Sequence, residues 1–215
     1  ALDRTTAFEY DLAGRVTKQT LPDGRAISYQ YDANGNLTAL TPPGREAHVF
    51  AYTPVDLEEQ YTPPDLEGAE TVTRYTYNKD KELTRIDRPD GSAVQLDYNA
   101  GGKPASLTYP EGRLDYAWHP ETGQLSAITR ADGGRLDYTW DGFLPLAETA
   151  TGEVSGTVRR TWDNNFWLTG LSVNGNQVTY GYDDDGLLTK AGTLTLERNA
   201  ENGLLSATAM DSVET

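Results

Sequence analysis

The residue types able to do chemistry are unevenly supplied in this chain. Its 215 residues include 33 Asp and Glu and 18 Lys and Arg, but two His and no Cys. Without a thiol there is no disulfide, cysteine nucleophile or zinc knuckle. With His48 and His119 as the only imidazoles, a three-His metal site cannot be assembled. So many carboxylates guarantee that some pair falls at the separation glycosidases use, and spacing alone therefore assigns none of them. Asp183-Asp184-Asp185-Gly186 begins like a calcium loop, but the twelfth position is Leu194, where a bidentate Glu belongs. Gly101-Gly102-Lys103 lacks the rest of a phosphate loop. No Gly-x-Ser-x-Gly accompanies either histidine. Asn36-Leu37-Thr38 matches a glycosylation triplet, a pattern common by chance. No catalytic, metal or cofactor residue is assigned, and the expectation is a chain that is not an enzyme and carries no cofactor.

Charge narrows the partners. The formal balance is 18 − 33 = −15, with a sequence pI near 4.4. Such a chain repels phosphate backbones and anionic bilayers, so neither nucleic acid nor membrane insertion is expected. No apolar run approaches the length of a membrane span, and no signal peptide precedes Ala1. The missing initiator Met leads to the expectation of a fragment or processed product.

What organises the chain is a repeat. Anchor aromatics fall at Tyr10, Tyr31, Tyr52, Tyr77, Tyr98, Trp118, Trp140, Trp162 and Tyr182, with a decayed tenth anchor at Arg198. Two residues before the anchors lie Phe8, Tyr29, Phe50, Tyr75, Leu96, Tyr116, Tyr138, Arg160, Tyr180 and Leu196. These columns absorb 11 of the 13 tyrosines and 3 of the 4 tryptophans, which chance does not do. Only Tyr61, Tyr109 and Trp167 fall outside. The step is about 21 residues, with one of 25 between Tyr52 and Tyr77. After the anchor comes Asp or Asn in most copies, then Gly at Gly14, Gly35, Gly102 and Gly186. That is turn chemistry: the side chain caps its own backbone and Gly accepts positive φ. Halfway round the period a second turn appears, as Pro22-Asp23-Gly24, Pro43-Gly44 or Pro89-Asp90-Gly91. Each period therefore reads as one β-hairpin.

The strand before each anchor alternates with period two. It places Ile27/Tyr29/Tyr31, Leu114/Tyr116/Trp118 or Val178/Tyr180/Tyr182 on one face and Ser28/Gln30 or Arg113/Asp115 on the other. Gly and Pro recur too often for helix. The expected fold is all-β: tandem antiparallel hairpins over 1–215, about ten units and roughly 18 to 20 strands, too wide to stay flat and so curled into a single-layer spiral. Successive aromatic pairs are expected to stack into a ladder. The long step is read as four extra residues, Asp65–Gly68, within a longer acidic turn spanning 53–74. Asp56 to Glu70 carries six acids and no base and is read as a solvated loop.

Tyr29-Gln30-Tyr31-Asp32-Ala33-Asn34-Gly35-Asn36-Leu37 and Tyr180-Gly181-Tyr182-Asp183-Asp184-Asp185-Gly186-Leu187-Leu188 resemble the YD repeat of RHS proteins, and the resemblance extends over essentially the whole chain. Departures are the missing glycines at Lys81, Leu144 and Phe166 and the missing aromatic at Arg198. The family includes bacterial polymorphic toxins, the B and C components of insecticidal toxin complexes, wall-associated proteins and, more distantly, teneurins. The resemblance implies a hollow β-shell that, in the toxins, encloses a cytotoxic C-terminal segment until delivery. Its toxins close the shell with an aspartyl self-cleavage motif rich in Asp-Pro. This sequence has no Asp-Pro, so plug and payload are expected to lie outside it.

The resulting expectation is a non-catalytic wall segment of a secreted or cell-surface bacterial shell. Its partners would be the remaining YD repeats and the enclosed toxin polypeptide. The columns Tyr10, Tyr29, Tyr31, Tyr52, Tyr75, Tyr77, Tyr98, Tyr116, Trp118, Tyr138, Trp140, Trp162, Tyr180 and Tyr182 would form its structural ladder. The alternative is an adhesion module whose rings bind carbohydrate or a protein.

Overall fold

The computed structural model describes residues 4–64, 71–210 and 213–214. The chain divides into two compact units, Ala1–Arg113 and Leu114–Thr215. The first holds β1 (Ala7–Tyr10), β2 (Val16–Thr20), β3 (Ala26–Tyr31), β4 (Leu37–Thr41), β5 (His48–Tyr52), β6 (Glu58–Thr62), β7 (Thr73–Tyr77), β8 (Leu83–Asp87), β9 (Ala93–Tyr98) and β10 (Pro104–Tyr109). The second, from Leu114 onward, holds β11 (Gly112–Trp118), β12 (Leu125–Arg130), β13 (Arg135–Asp141), β14 (Leu144–Thr151), β15 (Gly156–Trp162), β16 (Leu168–Val173), β17 (Asn176–Tyr182), β18 (Leu188–Ala191), β19 (Leu194–Arg198), β20 (Leu205–Met210) and β21 (Val213–Glu214). Within each unit every strand pairs antiparallel with its neighbours in sequence. There is no helix among the described residues. The all-β tandem-hairpin architecture is the one the periodicity predicts.

Each hairpin is closed by the turn after its anchor. Asp11 Oδ1 accepts from the backbone N–H of Ala13 and of Arg15, both at 2.9 Å. Asn78, Asn99, Asp163 and Asp183 repeat the arrangement. Thr53 does so with its hydroxyl and His119 with Nδ1. These bonds satisfy turn donors that the ladder leaves unpaired. The left-handed position that Gly14 and Gly35 fill survives without glycine: Asp56, Lys81 and Phe166 hold φ of 62°, 67° and 65°. The seventh hairpin differs from expectation. Leu144 does not stand in for the glycine but opens β14, paired with Asp141 across a two-residue turn, Gly142-Phe143.

The acidic turn expected over 53–74 is narrower than the acids suggested. Glu58–Thr62 is β6, in register with β5 and with β7. The reason is Tyr61, which pairs with Phe50 and stacks on it at 5.3 Å, outweighing the preference of the flanking acids for water. Asp65–Gly68, the expected insertion, lies outside the described residues.

Burial alternates along the incoming strands as expected, with Tyr29 and Tyr31 half-buried and Ser28 and Gln30 exposed. The rings are half-covered, however. Apart from Val94 on β9, which lies on the aromatic face, the buried positions lie on the opposite face, on outgoing strands, where the side chain is short: Ala127 is 0% and Ser106 1% exposed, with Ala39, Ala147 and Gly170 also buried. Ala127 pairs with Ala117 on one side and Asp137 on the other, and Ser106 donates to Asp97 Oδ2 at 2.7 Å. A face read as polar thus contains a row of small buried residues between longer polar ones.

Candidate functional site

The anchors carry the repeat's geometry. At every anchor from Tyr10 to Arg198 the strand register shifts, so each sits at a β-bulge, opposite the first residue of its outgoing strand (Tyr31 opposite Leu37, Tyr52 opposite Glu58, Tyr77 opposite Leu83) except Trp140, which faces Pro145, the second residue of β14. The pairing to the next hairpin begins only two residues further on, at Ala39, Gln60 and Arg85. The carbonyl at the bulge therefore faces the next hairpin without a strand partner, and the next anchor's polar tip fills the gap. Tyr31 Oη donates to Val16 O (3.0 Å), Tyr52 to Leu37 O (2.9 Å), Tyr77 to Glu58 O (2.8 Å) and Tyr98 to Leu83 O (2.8 Å). In the second unit Trp140 Nε1 donates to Leu125 O, Trp162 Nε1 to Pro145 O and Tyr182 Oη to Leu168 O. This explains why the column holds Tyr and Trp: the site needs a ring with a donor at its far end, which Phe lacks.

The expected ladder of stacked rings takes this form instead. Ring contacts run along a strand, as in Tyr138–Trp140 at 6.4 Å, across a pair, as in Phe50–Tyr61, or from one hairpin to the next outside the two columns' own spacing, as in Phe143–Phe166 at 5.6 Å and Trp167–Tyr182 at 5.3 Å. Successive anchors are joined through tip and carbonyl.

Arg198 keeps the bond without the ring. Its Nε donates to Leu188 O at 3.1 Å and its Nη1 to Gly203 O at 3.0 Å. Sequence reasoning marked this position as decayed because it looked for an aromatic rather than a donor. Arg198→Ala is expected to cost about 1–2 kcal/mol, the worth of charge-assisted bonds discounted for partial exposure. Urea unfolding checks this, and a cost near zero would show the bonds to be idle. A second charged replacement is also compensated: Arg160, in the −2 column, pairs with Glu148 Oε1 at 2.8 Å. Tyr138 and Val158 flank Glu148 in register.

A third column was missed. In several units the residue opening the outgoing stretch reaches the turn of the next hairpin. Arg15 lies 4.8 Å over the Tyr31 ring and donates to Asp32 O; Gln124 Nε2 bonds Gly142 O. Trp167 packs 5.3 Å from Tyr182 and so close to Gly186 that a Cβ there would lie 2.7 Å from its ring. Gly186 thus answers to two demands, positive φ and a neighbour's indole. Trp167 could have been found by aligning the units five residues past the anchor, where side chains vary too much to look like a motif.

Electrostatics on the turns are local. Asp11 is held below the usual carboxylate range by the Arg15 backbone N–H and then its guanidinium, and Asp32 by the Asn36 side chain. On the aromatic face, burial pushes the phenols of Tyr52, Tyr75, Tyr77, Tyr98 and Tyr138 upward. Of the two histidines, His119 caps a turn and His48 bonds Tyr61 Oη through Nδ1 at 2.7 Å. Among the described residues no group of three or more His, Asp and Glu could hold a metal. No helix among the described residues is long and apolar enough to cross a membrane.

The fold recurs in solved toxin structures. The crystal structure of TcdB2-TccC3-Cdc42 superposes with a TM-score of 0.63 at 16% identity, over 95% of this chain and 13% of that one. The Photorhabdus luminescens Tc holotoxin pore with the TccC3-D651A mutation gives 0.57 at 15%, over 99% and 15%. TcdB2-TccC3 without its hypervariable C-terminal region gives 0.62 at 14%, again over 99% and 15%. The chain thus spans roughly a seventh of each of these three solved chains. No curated protein matches it. The family model described as teneurin YD-shell matches residues 1–214. With that match over nearly its full length, and with the bulged aromatic anchors recurring in both units, the chain belongs to the teneurin YD-shell family.

Proposed function

We propose that this chain is a non-catalytic wall segment of a bacterial, exported YD shell that encloses a C-terminal toxin polypeptide until delivery. Its partners are the further YD repeats of the same protein and the enclosed polypeptide. The observation that carries this reading is the bond from an anchor's tip to the carbonyl of the preceding bulge, made by Tyr31, Tyr52, Tyr77 and Tyr98 in the first unit and by Trp140, Trp162 and Tyr182 in the second. It ties each of these hairpins to the one before it, so the array is built to be continued rather than to end in a site. The likeness to TcdB2-TccC3 supports the reading at the level of fold.

The test is protease protection in the full-length protein. The segment following the repeats is expected to resist a protease that digests it once the shell is opened by denaturant. Cleavage of that segment in the native protein at the rate of a free peptide would overturn the reading. The half-exposed rings favour a second reading, an extracellular module that binds carbohydrate or a protein. Glycan binding lost in a folded Trp140→Ala or Trp118→Ala variant, with no protected segment, would establish it instead.

A further inference from the structure

Two carboxylates stand in the outgoing-strand columns of the aromatic face, one in each unit, and only one has been given a partner. Glu148 in the second unit has the Arg160 guanidinium at 2.8 Å. Glu58 in the first unit occupies a column filled by Val16, Leu37 and Leu83 in its neighbouring hairpins. Among the described residues no hydrogen bond or ion pair reaches its carboxylate, and the ten residues joining β6 to β7, 63–72, contain no Lys, Arg or His. Burial alone pushes its carboxyl up, with no cation or donor to bring it back. Its charge is felt by the phenols around it, raising Tyr52, Tyr75 and Tyr77 after the larger effect of their burial.

The surroundings of this carboxylate form an open cleft lined by Leu40, His48, Phe50, Glu58, Tyr61 and Tyr75. Its wall is a run of rings: His48 lies 5.9 Å from Tyr61 and nearly parallel to it, and Tyr61 lies 5.3 Å from Phe50. The His48–Tyr61 hydrogen bond fixes the two rings against each other. An unpaired carboxylate beside the faces of aromatic rings is the arrangement that attracts an organic cation, through charge and through the ring quadrupoles together. A sugar site would need several convergent polar donors and acceptors, and the cleft offers few. With a formal charge of −15 the chain also draws basic segments toward itself.

We propose that this cleft binds the ammonium group of a lysine side chain in a polypeptide lying along the aromatic face. Glu58 receives the charge and Phe50, Tyr61 and Tyr75 enclose the methylene stem. The site stands whether or not the shell encloses a toxin, so its failure and the failure of that reading are separable.

The experiment uses the 215-residue chain and two small probes, N-acetyl-lysine N-methylamide and its uncharged norleucine counterpart, followed by ring-proton NMR. The lysine probe is expected to shift the Phe50, Tyr61 and Tyr75 signals saturably in the millimolar range, and the norleucine probe to leave them in place. Glu58→Gln is expected to weaken binding at least tenfold while melting no lower than the parent, since it removes an uncompensated charge. Glu148→Gln, at the carboxylate that already has a partner, is expected to leave the affinity unchanged. Acidification is expected to weaken binding, because Glu58, whose carboxyl burial pushes up, loses its charge. The other titratable groups facing Glu58 are His48, Tyr52, Tyr61, Tyr75 and Tyr77. Equal shifts with norleucine, undiminished binding in Glu58→Gln, or tighter binding of the arginine analogue or of a saccharide would each overturn the proposal.

Discussion

Replacing Tyr98 by alanine is expected to destabilise the first unit by about 2–4 kcal/mol. Truncating a fully buried ring costs about 3–5 kcal/mol, and Tyr98 is half-buried, which lowers that figure. Loss of its hydrogen bond to Leu83 O adds about 1 kcal/mol, because that carbonyl has no strand partner to fall back on. Tyr98→Phe separates the two contributions. It keeps the ring, removes the donor and is expected to cost about 0.5–1.5 kcal/mol. Chemical denaturation of the parent and both variants measures all three values. If Tyr98→Phe proves neutral, the tip bond contributes nothing and the anchors act by ring area alone.

Ala127→Leu is expected to be comparably damaging from the other face. Ala127 has no exposed surface, and its register neighbours Ala117 and Asp137 leave it no open side within the ladder. Three added carbons must displace those strands or force strained rotamers, which typically costs 1–3 kcal/mol. The equivalent change at Lys18, the same register position in the first outgoing strand and only partly buried, is expected to be nearly neutral. Thermal melts of the two variants decide the matter. Equal, small shifts would mean that the small-residue row is not packed.

Both predictions rest on features that differ in how visible they are in one sequence. The hairpins could be read because their signals are local: a period of two in the strand, Asp or Asn followed by Gly in the turn, and rings at one spacing. The bulge at each anchor could not, since an extra residue on the outgoing strand leaves no mark when every unit has it. The tip bonds were hidden for a related reason, because their acceptor is a main-chain carbonyl and any residue supplies one, whether Val16, Glu58 or Pro145. Tyr61 looked unplaced because its column elsewhere holds Leu40, Ile86 and Leu107, which carry no aromatic signature. Glu58 looked solvated because acids surround it in sequence. Only the register shows it facing rings.

The separation between donor and acceptor along the chain is 14 residues for Tyr182, 15 for Tyr31, Tyr52, Tyr98 and Trp140, 17 for Trp162 and 19 for Tyr77, where the long step falls. The bond is the same each time, so the longest additions, at Trp162 and Tyr77, are taken up in the connection at the opposite end of the hairpin. The anchor side varies by at most one residue about a spacing of six, as at Trp118–Leu125 and Trp140–Pro145, and is the gauge of the array; the far side is its slack. Insertions, epitope tags or whole grafted loops therefore belong at the Pro-Asp-Gly edge, where natural drift in length has already been accommodated without disturbing the spacing of the rings.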